Sequence, residues 1–322
     1  MKKCLAFLAL ACMVTVAVSQ SVIWQPEAIQ ALTPEWNGER YPDGRPKVPD
    51  DILERLKPAV MEDIWSFLRR YGYNNQFENF SSLYENGWTI VHPDRVMTGR
   101  VLTAQFIPSR PDFKEYVEKQ AEKEGTHTPV TNYAPIIKLQ EGDVYVADAY
   151  GKIIDGTLIG GNLGDAIANS SKRGIIFNGS VRDLAEISKI GEDFNGWIRG
   201  HDVSGIREMM IAWINAPIRI GRAAVLPGDV VLANKYGVTF IPAHLAEEAA
   251  LSSEYTSLRN QFQIHCRETN KFEYINEHFV VEREVYEKAF LGWIDENPHL
   301  LPMPEQEILD YHNKLQERRK RN

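Results

Sequence analysis

Cysteine is scarce in this chain of 322 residues: there are three, at positions 4, 12 and 266. Cys4 and Cys12 fall in the opening apolar stretch, which leaves Cys266 without a partner for an internal disulfide. A disulfide-stapled fold is excluded, and packing alone must hold the chain together. A single thiol with no companion pattern reads as a packed side chain rather than a nucleophile. Excess positive charge is missing too. The net charge is −8 and the isoelectric point about 5.6, so nucleic acid is not an expected partner, because phosphate binding needs a concentrated basic face. No internal repeat and no low-complexity segment occurs. The run from Leu5 to Val18 is short for a membrane span of about 20 apolar residues.

That run is instead flanked as an export signal is. Lys2 and Lys3 precede it, and Ala17-Val18-Ser19 supplies the small residues that a signal peptidase reads. The expectation is a signal over 1–19, cleaved near Ser19/Gln20, and an exported chain, periplasmic or secreted, with no membrane association afterwards. Residues 20–87 then read as an extended arm followed by a helical segment. Ile52, Leu56, Val60, Ile64 and Leu68 recur at helical spacing, with Pro58 placed to kink or split that helix. From 88 to 251 short strands alternate with helices, which predicts an α/β core with a mixed sheet. Strands are expected over 96–106, 143–147, 174–177, 223–225, 230–233 and 238–241. Helices are expected over 112–124, 164–171, 182–190, 204–214 and 243–251. Residues 252–322 read as an amphipathic helical extension ending in the basic run Arg318-Arg319-Lys320-Arg321, taken as a solvated helix tail.

The densest chemical signal is Gly156-Thr-Leu-Ile-Gly-Gly-Asn-Leu-Gly-Asp165, followed by Gly174-Ile-Ile-Phe-Asn-Gly-Ser-Val-Arg-Asp183. The first is a glycine-rich turn into a helix. Its backbone N–H groups at Gly160, Gly161, Asn162 and Leu163 and the helix N-terminus make a cradle for a carboxylate or phosphate. The second is a buried strand that delivers Arg182 and Asp183 at its end, where open α/β sheets place ligands. Arg182 offers a planar fork for a carboxylate. Asp183 offers a hard oxygen ligand for Mg²⁺ or Mn²⁺. The alternative for the pair is a plain surface ion pair. His201-Asp202 reads as a helix start before Ser204, His244 as structural, Asp229 as a turn residue, and Arg219 and Arg222 as candidates for a subunit interface. The acidic residue that a dinucleotide site places about 20 residues on is missing, which weighs against a methyltransferase or other nucleotide-cofactor enzyme.

These two segments, with Pro227-Gly228-Asp229-Val230-Val231, Gly237-Val238, Gly99-Arg100-Val101-Leu102-Thr103 and Gly142-Asp143-Val144-Tyr145-Val146-Ala147-Asp148, resemble the RraA-like family over roughly residues 55–250. That family includes 4-hydroxy-4-methyl-2-oxoglutarate aldolases, oxaloacetate decarboxylases and regulators of ribonuclease E activity. The resemblance implies a swivelling β/β/α fold, usually as trimers or hexamers with sites between subunits. It implies that Arg182 binds a substrate carboxylate, that Asp183 helps hold a divalent metal, and that the amides of Asn162 and Leu163 hold the substrate. One position departs from the pattern. The family usually has an acid directly after the first glycine of the turn, where it orders a catalytic water; here that position is Gly161. Asp165, about one helical turn further on, is a candidate substitute or merely a first-turn acid favoured by the helix dipole. The expected function is a metal-dependent lyase, an aldolase or decarboxylase, acting on a small 2-oxo acid through a metal-stabilised enolate. The alternative is an exported binding protein for oxo or sugar acids on the same scaffold, without catalysis.

Overall fold

A computed structural model of the protein describes residues 22–79, 87–123 and 131–321. The signal expected over 1–19 lies outside them. Helix α1 (Pro26–Leu32) interrupts the arm expected to be extended, with Pro26 in its first turn. The periodic stretch after it breaks at Pro58 into α2 (Asp50–Leu56) and α3 (Met61–Arg70), because proline cannot donate within a continuous helix. Strands β1 (Phe77–Asn79), β2 (Thr89–Ile90) and β3 (Met97–Pro108) lead to α4 (Pro111–Lys123). Next come β4 (Asp143–Asp148), β5 (Thr157–Ile159), α5 (Gly161–Ser171), β6 (Ile175–Val181), α6 (Leu184–Ile187) and β7 (Gly196–His201). Then follow β8 (Met209–Ile214), β9 (Ile218–Ile220), β10 (Ala223–Val225), β11 (Val230–Asn234) and β12 (Gly237–Ile241). Helix α7 (Ala246–Glu268), the hairpin β13 (Glu273–Ile275) and β14 (His278–Val280), α8 (Arg283–Glu296) and α9 (Glu305–Arg321) complete the chain. Among the described residues no helix is long and apolar enough to cross a membrane.

Among the described residues ten strands form one mixed sheet, in the order β1-β12-β11-β3-β4-β6-β7-β2, with β5 on β6 and β8 on β3. The β3–β4, β4–β6, β5–β6 and β6–β7 pairs are parallel. Every residue of β4 and β6 is buried, as expected of parallel strands covered on both faces. Strand alternation sorts their side chains between two cores. Leu102, Tyr145, Ala147, Ile175 and Phe177 face a core shared with Ile167 of α5 and Ile187 of α6. Val101, Val144, Val146 and Ile176 face the β9–β10 hairpin through Ile218, Ile220, Ala223 and Val225. The layers therefore run hairpin, sheet, helices: the β/β/α arrangement. The C-terminal extension has a core of its own, in which Tyr255, Phe262 and Cys266 of α7 meet Phe290, Trp293, Ile308 and Tyr311. Cys266 is buried there, which raises its thiol pKa.

Three expectations need correction. The segment 204–214 is not a helix. It turns through Glu208 at φ 51° and then forms β8, which pairs with β3 across a bulge. Met209-Met-Ile-Ala-Trp-Ile214 is a short apolar run, a pattern whose periodicity does not separate helix from strand. The helix expected over 182–190 shrinks to the single turn of α6, since Asp183 is left-handed. The helix expected over 243–251 starts with a 3-10 turn and then runs on to Glu268.

Asp229 tightens the turn before β11 by accepting a hydrogen bond from the Leu226 amide at 2.8 Å. It is buried, and burial pushes its carboxyl up to about 7. The folded state therefore holds a proton that the unfolded state releases at lower pH. The resulting stabilisation is complete below about pH 4 and is lost as pH rises through about 7. Asp229→Asn is neutral at every pH. Urea melts should show it gaining on the parent by about 1.4 kcal/mol for each pH unit between about pH 5 and pH 7. A pH-independent difference between the two would refute the assignment.

Candidate active site

The parallel strands β5 and β6 end side by side, and the two chemical segments meet there. Arg182 continues the pairing, its amide donating to the Ile159 carbonyl at 2.9 Å. Beyond it the backbone turns through Asp183, at φ 55° and ψ 40°. Asp is one of the few side chains that visit this region with little penalty. Asp183 sits at the N-cap of α6 but makes no side-chain cap there. Its Oδ2 instead accepts from the Gly161 amide, the first of α5, at 3.2 Å, and lies 3.6 Å from Arg182 Nε. Both side chains are about half exposed, so a small molecule can reach them. Among the described residues Asp183 Oδ1 has no hydrogen bond.

Arg182, Asp183 and the turn Gly160-Gly161-Asn162-Leu163 line one hollow of about 300 Å³. Gly160 is extended, at φ −123°, so no backbone angle requires glycine there; a Cβ would meet Asp183 Oδ2 and Arg182, half-exposed side chains that would have to shift. In α5 the first intrahelical bond is Gly164 N to Gly160 O, at 2.9 Å. Among the described residues the amides of Asn162 and Leu163 therefore lack an acceptor, as the first turn of a helix requires. Both residues line the hollow, where amides without an acceptor are available to an anion, with the helix dipole adding to them.

Asp165 does not belong to this group; it is exposed on α5 and does not line the hollow. A residue that the sequence did not single out takes its place. Glu186, from α6, lines the hollow, and its Oε2 would be in close contact with a Cβ on Gly161. The one signal for it was its position three residues after Asp183, a spacing normally assigned to a capping box. His201 is exposed at the end of β7. Asp202 starts no helix; its Oδ1 accepts from the Ser204 amide at 2.9 Å in a turn. His244 Nε2 lies 2.8 Å from a Glu35 carboxylate oxygen, a structural contact with the arm. Arg222 Nε lies 3.8 Å from Glu78.

For a divalent ion the hollow offers Asp183 and Glu186. No cluster of three or more His, Cys, Asp or Glu that would cage a metal occurs among the described residues. Two carboxylates suit Mg²⁺ or Mn²⁺, which keep several waters and share their remaining positions with substrate.

A family model described as RraA-like, Aldolase/RraA, matches residues 59–240, more than half of the chain. The chain belongs to the RraA-like family. A curated relative from Halalkalibacterium halodurans, provisionally named 4-hydroxy-4-methyl-2-oxoglutarate aldolase, is 32% identical over 105 residues; the match covers 31% of this chain and 47% of that protein. The chain thus aligns with about half the length of this relative. Among solved structures, Streptomyces coelicolor RraAS2, described as an unusual member of the RNase ES inhibitor RraA protein family, superposes with a TM-score of 0.56 at 23% identity. That match spans 68% of this chain and 99% of RraAS2. An uncharacterized protein from Pseudomonas syringae pv. tomato superposes at 0.54 and 14% identity, over 79% of this chain and 99% of its own. These neighbours share the RraA-like fold. At the level of the family, the aldolase relative supports lyase chemistry.

Proposed function

We propose that this RraA-like protein is a divalent-metal-dependent lyase that cleaves a carbon–carbon bond in a small 2-oxo acid, by decarboxylation or by aldol cleavage. The observation that carries the reading is the convergence of two unpaired helix amides, one guanidinium and two carboxylates on a single reachable hollow. Arg182 pairs with the substrate carboxylate through its fork. The amides of Asn162 and Leu163 fix a second oxygen of the substrate. Asp183 and its neighbour Glu186 would hold Mg²⁺ or Mn²⁺, directly or through water. Such an ion, when bound, stabilises negative charge that gathers on the 2-oxo oxygen as the bond breaks. Glu186 holds the water or proton that is delivered to the carbon left behind, the task of the acid missing at Gly161.

The test is oxaloacetate decarboxylation and pyruvate-releasing aldol cleavage, each with and without Mg²⁺. Turnover in neither assay, with calorimetry showing metal-independent binding of oxo acid, would replace the lyase with the binding-protein reading. Glu186→Ala is expected to reduce turnover by about 10²- to 10⁴-fold, the usual contribution of a positioned acid–base group. Gly161→Asp alone is expected to be impaired, because its side chain meets Glu186. The double variant Gly161→Asp/Glu186→Ala should recover part of the loss. A double variant no better than Glu186→Ala argues against Glu186 as the relocated acid. The residues Lys2 to Ser19 support export as a further proposal, and the family resemblance supports assembly as a trimer or hexamer.

A further inference from the structure

A second cleft, of about 730 Å³, opens between α3, which lies inside the segment that matches the family model, and α7 and α9, which lie beyond it. Four guanidinium groups converge on it: Arg70 at the end of α3, Arg259 on α7, and Arg318 and Arg319 on α9. Of the basic run at the end of the chain, Arg318 and Arg319 line this cleft while remaining exposed to solvent. Two carboxylates pair with this cluster. Glu287 pairs with Arg259 and lies 3.8 Å from Arg319. Glu248 lies 2.9 Å from Lys314 and 3.3 Å from Arg318, and accepts from the Tyr71 hydroxyl at 2.6 Å. Among the described residues Arg70 has no carboxylate within ion-pair distance; it donates to Ser252 Oγ at 3.4 Å. Asp63 on α3 also acts electrostatically on Arg70, so five cations stand against three carboxylates, an excess of two positive charges in a protein whose net charge is −8. Crowding like charges costs free energy unless something neutralises them. Arg318 and Arg319 keep about half of their side-chain surface exposed, so a ligand can reach them.

We infer that this cleft binds a small polyvalent oxyanion, one with two or more negative charges carried on phosphate or carboxylate groups. Arginine forks match both groups in bidentate geometry. The enclosed volume is that of a small-molecule site, and the acidic protein around it disfavours an extended polyanion. The site is separate from the lyase hollow and does not depend on how that hollow is read.

The full chain should be titrated calorimetrically with inorganic tripolyphosphate and, in parallel, with citrate, in metal-free buffer at low and raised salt. Saturable binding to one site is expected, weakening as salt is added. The double variant Arg70→Gln/Arg319→Gln should bind roughly tenfold or more weakly, the cost of losing charge-assisted hydrogen bonds. Among the described residues Arg70 has no ion pair within 4 Å, and the Arg319–Glu287 contact is long, at 3.8 Å, with Arg319 half exposed, so the variant should keep its melting temperature and any oxaloacetate turnover. The tighter of the two anions identifies the source as a phosphate ester or a polycarboxylate. No saturable binding of either anion, unchanged affinity in the double variant, or tighter binding of a single-stranded oligonucleotide than of either anion overturns the proposal.

Discussion

Arg182→Ala is expected to lower kcat/KM for a 2-oxo acid by about 10²- to 10³-fold, the range seen when one preorganised donor to developing negative charge is removed. The guanidinium is half exposed, and its one carboxylate contact, to Asp183, is long at 3.6 Å. Pairs of this kind contribute little to folding, so the melting temperature should stay within a degree or two of the parent. Activity and stability are therefore separable at this position, which makes the variant a clean probe. Arg182→Lys keeps the charge and loses the fork, and should fall between the two. The measurement is steady-state decarboxylation of oxaloacetate with Mg²⁺ in excess. Turnover in Arg182→Ala equal to that of the parent would remove the lyase assignment.

The largest expected effect on stability lies far from that chemistry, at Arg45 in the N-terminal arm. Its side chain is fully buried. It donates from Nη1 and Nη2 to the two oxygens of the buried Asp143 at 3.0 and 2.8 Å, from Nε to Asp43 at 2.7 Å, and from Nη1 to the Val101 carbonyl at 3.2 Å. Arg45→Ala strands the Asp143 carboxylate at the start of β4 with only the Gln140 amide, at 2.8 Å, to compensate it. Breaking a buried pair from one side costs about 3–5 kcal/mol, which corresponds to a fall in Tm on the order of 10 °C. Lys47→Ala is the internal control, since the Lys47–Glu39 pair is exposed on both sides and should cost under about 1 kcal/mol. Replacing both buried partners, as Arg45→Met/Asp143→Leu, should recover much of the loss. A fall for Arg45→Ala no larger than that for Lys47→Ala would show that the arm is not anchored by this pair.

Much of the core was legible in the sequence because its strands are buried on both faces and read as unbroken apolar runs, as in β4 and β6. Arg182 and Asp183 were legible because they follow such a run directly. What escaped has physical reasons. β8 is six residues of apolar sequence with no alternation to separate strand from helix. β7, Gly196-Trp-Ile-Arg-Gly-His201, carries two glycines, and glycine is depleted in strands. Glu186 escaped because its spacing from Asp183 has an ordinary explanation in helix capping, and only the fold shows that Asp183 spends its carboxylate on the neighbouring helix instead. Nor did the basic end of α9 reveal that Arg70 and Arg259, far away in sequence, would face it.

The proposed exchange between Gly161 and Glu186 bears on how relatives of this protein are sorted into enzymes and non-enzymes. Where the family resemblance implies an acid, position 161 has glycine, and a reading of the sequence alone would file the chain with the inactive. In space, the Glu186 carboxylate, on a helix twenty-five positions downstream, lies in contact with the place where a side chain at 161 would begin. A census of such proteins taken by coordinates and one taken by alphabet would give different totals.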